Sequence, residues 1–356
     1  VALRVALAMS EGDVDSQRSQ ELRSRLLVRA GYLAYDHEDY EKAIGFLEKI
    51  PLESYRTPHG LYLHGLALSA SGNQRAAMQS WHRAKKYPLA YPGVANAWLG
   101  TGRGYDLAGY LGQAGEAYLA ANASYESERV TLRKLADQIR QKGAYQALVL
   151  DARNSEAQWF LADNRTLTQP RTAYLIRFIE QPTAQATVNR VAELKEMRQT
   201  LNQREDSLAV FRGAISERLG PVGHNVDGGP FNEEIKELVQ RLANLKARTI
   251  SPAQQEALKG VARTLADLKA SVARLDGRLK EKDRTLNELI TRTDLVRERI
   301  RAVRRKANAL LGRAESELDE LALAYVEAQD HRMAFALDRT EQQIAHLYEY
   351  LALENL

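Results

Sequence analysis

Apolar positions in the first third of the chain follow a helical period and then recur as a block. Leu27, Ala30, Gly31 and Ala34 sit at i, i+3, i+4 and i+7, the spacing that lines one face of a helix. Ala43, Leu47 and Ile50 follow at i, i+4 and i+7, the packing face of a second helix. Adding 34 to each number reaches Leu61, His64, Gly65 and Leu68, then Ala77, Trp81 and Ala84. A further shift of 37 reaches Trp98, Thr101, Gly102 and Tyr105, then Ala114, Tyr118 and Ala121. The extra residues fall on the proline-marked connection at 85–92. Turn-forming residues at 36–39, 71–73 and 109–112 separate the two helices of each block. Two short helices cannot bury both faces alone, so the blocks are expected to stack, with the small residue at i+4 allowing close approach.

The pattern then changes. Residues 129–180 predict further helices with Trp159, Phe160, Tyr174 and Phe178 as core, punctuated by Pro170 and Pro182. From about Ala184 a heptad seam begins with Leu194, Met197, Leu201, Leu208, Phe211 and Ile215. It stops at 220–231, where Pro221, Gly223, Gly228, Gly229 and Pro230 predict a loop. Ile235, Leu238, Leu242 and Leu245 follow, and Ser251-Pro252 with Gln254 marks a capped helix start. Leu258, Val261, Leu265, Leu268, Val272, Leu275 and Leu279 then alternate by three and four, continuing through Leu286, Leu289, Val296, Ile300, Val303 and Leu310. Such a run predicts coiled coil. The loop between two seams favours an antiparallel hairpin, although the pattern equally permits a parallel homodimer. Gly277 and Gly312 are candidate bends. A more aromatic last helix, with Leu321, Tyr325, Phe335, Ile344 and Tyr348, is expected to dock on a globular surface.

Trp98-x2-Thr101-Gly102-x2-Tyr105 with Ala114 and Tyr118 resembles the tetratricopeptide repeat, Thr101 standing where leucine is usual. Ala34 and Leu68 depart from the tyrosine typical of that family, and the repeat-ending proline is missing. The resemblance covers about residues 24–128 and extends to poorly characterised tetratricopeptide proteins of Gram-negative bacteria. It implies a solenoid over 1–128 with a helix ahead of the repeats, and the helical and heptad patterns complete an all-α fold: a helical connector over 129–183, a coiled-coil rod over 184–315 and a docking helix over 316–356. It also implies an inner groove lined by the first helix of each pair. The groove positions are Arg25, Val28, Tyr32 and Tyr35, then His59, Tyr62 and Leu66, then Asn96, Leu99, Arg103 and Asp106. Tyrosine offers rigid apolar area with a hydroxyl, and arginine grips carboxylates, so the mix suits a peptide segment of a protein partner. The competing occupant is the chain's own C-terminal helix.

Composition adds exclusions. Hydrophobic residues make up 44% and charged residues 27%, which fits neither a membrane-embedded nor a disordered chain. With no cysteine there is no disulfide framework, thiolate metal site or catalytic thiol. A net charge of +4 is too balanced for general nucleic-acid binding. Of the aromatics, 13 lie within residues 1–121 and three within 181–330, which separates a packed front from a narrow rod.

The basic run Arg297, Arg299, Arg301, Arg304, Arg305 and Lys306 places Arg297 and Arg304 at e, and Arg299 and Lys306 at g. Those positions pair with acids across a coiled coil, with Glu315–Glu320 or Glu233, Glu234 and Glu237 as candidates. An anionic membrane surface is the less favoured alternative, and nucleic acid less favoured still. The histidines give no metal signature. Gly100-Thr101-Gly102-Arg103-Gly104 lacks both the lysine and the preceding strand of a phosphate loop. No cofactor and no catalytic set are expected. The function expected is a protein-interaction adaptor or scaffold, the alternative an oligomeric spacer of a bacterial envelope complex. The resemblance implies an exported protein, with the periplasm as the expected compartment and the cytoplasm as the alternative.

Overall fold

The computed structural model describes residues 16–150, 170–219, 229–248 and 251–354. Its elements are all helices, with no strand among the described residues, so the chain is all-α. In order they are α1 (Ser16–Asp36), α2 (Tyr40–Leu47), α3 (Thr57–Ala70), α4 (Gln74–Ala84), α5 (Val94–Leu107) and α6 (Leu111–Lys142). A short π-helical turn, Tyr145–Leu150, precedes α7 (Pro170–Ile179), α8 (Pro182–Leu219), α9 (Gly229–Arg248) and α10 (Pro252–Glu354). Packing divides the chain into two units. The first holds residues up to Glu193 together with those from Leu311, and the second spans residues 194–310.

In the first unit each helix from α1 to α6 packs on its successor. The first helices also touch, α1 on α3 and α3 on α5. The turns inside the three hairpins repeat in detail. Glu38, Gly72 and Gly109 hold left-handed φ values of 62°, 86° and 78° at equivalent positions. The next residue in each turn donates its backbone N–H five residues back past the turn: Asp39 to Ala34 O at 2.9 Å, Asn73 to Leu68 O at 2.8 Å and Tyr110 to Tyr105 O at 2.9 Å. These bonds satisfy carbonyls that a helix end leaves unpaired. Asp39 and Asn73 then cap the following helices by accepting from Lys42 N and Ala76 N, whereas Tyr110 has no side-chain cap.

Packing follows the same register. Ala43, Ala77 and Ala114 are fully buried, and so nearly are Leu47, Trp81 and Tyr118. Each large residue covers a glycine of its hairpin partner. A Cβ placed on Gly31, Gly65 or Gly102 would lie 2.6, 2.2 or 2.4 Å from Leu47, Trp81 or Tyr118 respectively. No side chain other than hydrogen fits there without movement.

Beyond the hairpins, α6 runs unbroken past 128, so the expected division at 128/129 falls inside a helix. Tyr174 and Phe178 of α7 are buried as expected, packing on Tyr325 with ring centroids 6.4 and 5.5 Å apart. Trp159 and Phe160 lie outside the described residues. The C-terminal part of α10 returns to this unit. Asp330 takes both Nε and Nη2 of Arg129, at 3.0 and 3.3 Å, and Thr340 bonds Asn122. Asp319 accepts the Ala144 N–H at 2.6 Å, where Gly143 turns the chain with φ 81°.

Three expectations need correction. Gly277 and Gly312 interrupt nothing, and no break separates 315 from 316, because both glycines sit inside α10. A single helical glycine costs about 1 kcal/mol relative to alanine, too little to end a helix held on both sides. The loop expected over 220–231 ends earlier, since Gly229, Pro230 and Phe231 begin α9. Proline is tolerated in a helix's first turn, where its missing N–H is not needed. Residues 220–228 lie outside the described residues.

In the second unit, Glu205 of α8 accepts from Arg301 Nε at 2.7 Å and from Arg304, while Arg212 donates to Asp294 at 2.8 Å. Residue numbers rise on one helix as they fall on the other, so α8 and this part of α10 run antiparallel. Val272, Thr293 and Ala307, one heptad column, are buried. The neighbouring column is a correction to the predicted seam. Val261, Leu268, Leu275, Leu289, Val296, Val303 and Leu310 are all exposed, from 37% to 55%. The side occupied by Arg297 and Arg304 faces α8 in their place.

Candidate functional site

The first unit contains a cavity of about 860 Å³ walled by α1, α5, α7, the 89–93 connection and the C-terminal part of α10. Of the residues predicted for the groove, it brings together Arg25, Asn96 and Leu99. Leu99 also packs with Tyr118, Ile344 and Leu347, so α10 covers that stretch of the inner face. Tyr62 lies beside Asn96, whose Nδ2 donates to its hydroxyl at 3.4 Å. A Cβ on Gly93 would meet the Tyr62 ring at 2.3 Å, and Gly93 itself needs φ 84° to start α5.

The other predicted groove residues separate into two groups. Val28 is core, buried with Leu27, Leu47, Ile50 and Leu63, and Leu66 packs against the Trp81 cluster. Tyr32 is 44% exposed, Tyr35 leans on Tyr40 with centroids 5.8 Å apart, and Arg103 is exposed. The charges of Asp106 and Arg103 act on the buried Tyr118 hydroxyl, which burial pushes up to about 12.

His59 occupies the most strongly perturbed position of the set. Burial first, then the charges of Arg56 and Arg177, pull its pKa from 6.5 to about 4, leaving a neutral imidazole. The unfolded chain takes up this proton near pH 6.5, the folded chain only near 4. The stability this group contributes is therefore complete above pH 6.5 and lost as pH falls towards 4. His59→Gln should flatten the pH dependence of urea unfolding across that window by about 2 to 3 kcal/mol. Parallel curves for the two proteins would show that His59 titrates normally.

Beyond Arg25, Asn96 and Leu99, the residues that line the cavity were absent from the groove expectation. Arg56 donates to Glu180 Oε1 at 2.5 Å, and Arg177 binds the other oxygen of the same carboxylate. Burial lowers the Arg56 pKa, and Arg25 and Arg177 push it the same way. Arg332 and Arg339 enter from α10. Tyr125 commits its hydroxyl to Ala95 O at 2.6 Å. Tyr91 and Tyr325 also line the cavity, and their buried hydroxyls have no partner among the described residues.

The basic run in the second unit is divided by its surroundings. Arg301 and Arg304 bind Glu205, and Arg301 also binds Glu298 at 2.7 Å. Arg297 lies 3.8 Å from Asp294, while Arg299, Arg305 and Lys306 are exposed. The expected acids are replaced: Glu233 pairs with Lys236 and Glu237 with Arg241, each on its own helix. In the 315–320 stretch, Glu317 pairs with Arg190. Heptad position alone does not say which acid lies opposite.

No group of three or more His, Asp or Glu residues able to hold a metal occurs among the described residues. No described helix is long and apolar enough to cross a membrane. Comparison with protein-family models, with curated proteins and with solved structures finds no match for this chain.

Proposed function

We propose that this protein is a non-enzymatic adaptor of tetratricopeptide type, whose stacked first helices hold an extended or helical segment of a protein partner. The observation that supports this reading is the contact of α1 with α3 and of α3 with α5, which joins three first-helix faces into one surface. Arg25, Tyr32, Asn96 and Arg103 remain exposed on these helices, away from the core that Val28 serves. Rigid aromatic area and guanidinium groups are the chemistry by which such surfaces take peptides. The triple variant Tyr32→Ala, Asn96→Ala, Arg103→Ala removes only exposed groups, so it should fold normally. Affinity capture from the native organism should then lose a partner that the unaltered chain retains. Identical captured proteins with both baits would end the groove assignment.

A second reading, an oligomeric spacer, is favoured by the exposed heptad column of the second unit. A row of exposed leucines and valines repeating every seven residues on one helix is more apolar surface than a monomeric helix ordinarily presents. Under this reading a second copy covers the column. Sedimentation of the full chain should then show a dimer that Leu268→Glu with Val296→Glu converts to monomer. A monomer at tens of micromolar leaves the adaptor reading alone.

A further inference from the structure

The cavity in the first unit gathers positive charge of which the adaptor reading uses Arg25 alone. Among the described residues five arginines line it, Arg25, Arg56, Arg177, Arg332 and Arg339, against one carboxylate, Glu180. Glu180 is already shared by Arg56 and Arg177. Arg25, Arg332 and Arg339 are solvent-exposed, and among the described residues no acidic side chain lines the cavity beside them. Four positive charges are left without a counter-charge on the cavity wall.

The neighbouring groups report the same field. The His59 ring sits near Arg56 and Arg177, the Tyr62 and Tyr125 hydroxyls sense Arg339, and the Tyr325 hydroxyl senses Arg177 and Arg332. Helices that lie far apart in sequence thus turn their cations towards one space. Guanidinium groups gathered with fewer carboxylates than cations repel one another, and a bound anion relieves that repulsion.

Volume and lining narrow the ligand. About 860 Å³ lies within the range of small-molecule sites. Tyr91, Tyr125, Tyr325 and Phe335 give apolar walls, and the hydroxyls of Tyr91 and Tyr325, without a partner among the described residues, are donors for a ligand. Guanidinium forks bind phosphate and carboxylate through paired hydrogen bonds. We propose that this cavity binds a small multivalent oxyanion, a molecule carrying at least two phosphate or carboxylate groups. Arg25 and Asn96 are shared with the surface of the adaptor reading, whereas Arg177, Arg332 and Arg339 belong to the cavity alone, so the site stands whether or not that surface takes a protein.

Calorimetric titration of the full chain at fixed ionic strength tests this, with pyrophosphate, citrate and acetate as probes. Saturable binding of pyrophosphate or citrate is expected, at least tenfold tighter than acetate. Pyrophosphate alone would assign a phosphate-bearing ligand, citrate alone a polycarboxylate. Arg332→Gln with Arg339→Gln alters two exposed residues of α10, so the helical circular dichroism should persist while affinity falls at least tenfold. A second measurement needs no variant: hydrogen exchange over residues 325–339 should slow when the bound probe is present. Absence of saturable heat with both multivalent probes, or unchanged affinity in the folded double variant, would overturn the assignment.

Discussion

Trp81→Ala is expected to lower the free energy of unfolding by about 4 kcal/mol, the loss typical of a large aromatic removed from a tight core. Trp81 is 5% exposed, and its indole Nε1 donates to Tyr62 O at 3.2 Å. The ring is wedged between two first helices. A Cβ on Gly65 would lie 2.2 Å from Nε1, and one on Gly100 would lie 3.0 Å from the ring carbons. Truncation therefore empties the contact that joins the second hairpin to the third. Gly65→Ala should cost about 1 to 3 kcal/mol by the opposite route, pushing the ring off its site. The double variant decides the mechanism. If the two residues share one space, the methyl enters the vacated volume and the combined loss falls short of additive. Additive losses in urea denaturation would separate them.

Glu180→Ala is expected to cost about 3 kcal/mol, because it leaves two half-buried guanidinium groups facing each other. The side chains of Arg56, Arg177 and Glu180 are 18%, 26% and 25% exposed, so water screens the repulsion only in part. Two controls separate charge from packing. Adding Arg177→Met should restore much of the lost stability, since the repulsion is removed and the stem is kept. Raising the salt concentration should shrink the deficit. A deficit indifferent to both would assign Glu180 a packing role.

The repeat was legible because its determinants are local. Ala43, Ala77 and Ala114, with the glycines opposite them, repeat at fixed spacing, and Gly72 and Gly109 advertise the turns. Glu38 gives no such sign, since a left-handed glutamate is chosen by the hairpin and not by its own preference. The cavity was hidden for another reason. Arg56, Arg177 and Arg332 lie on separate elements, each with the ordinary appearance of a surface residue, and only tertiary packing makes them neighbours. The heptad pattern located the apolar columns of α10 without saying which one meets α8. Two adjacent columns were equally apolar, and the choice between them is set by the antiparallel partner and by Glu205.

The bond between Asn122 and Thr340 spans 218 positions of sequence. A ribosome delivers α1 to α6 long before it delivers the helix that covers Leu99 and Tyr118. During that interval the last hairpin presents an uncovered apolar flank to the cell, at a stage when the earlier hairpins can already close on local contacts. Synthesis thus makes the local contacts of the front hairpins available well before the seal that Ile344 and Leu347 add to them.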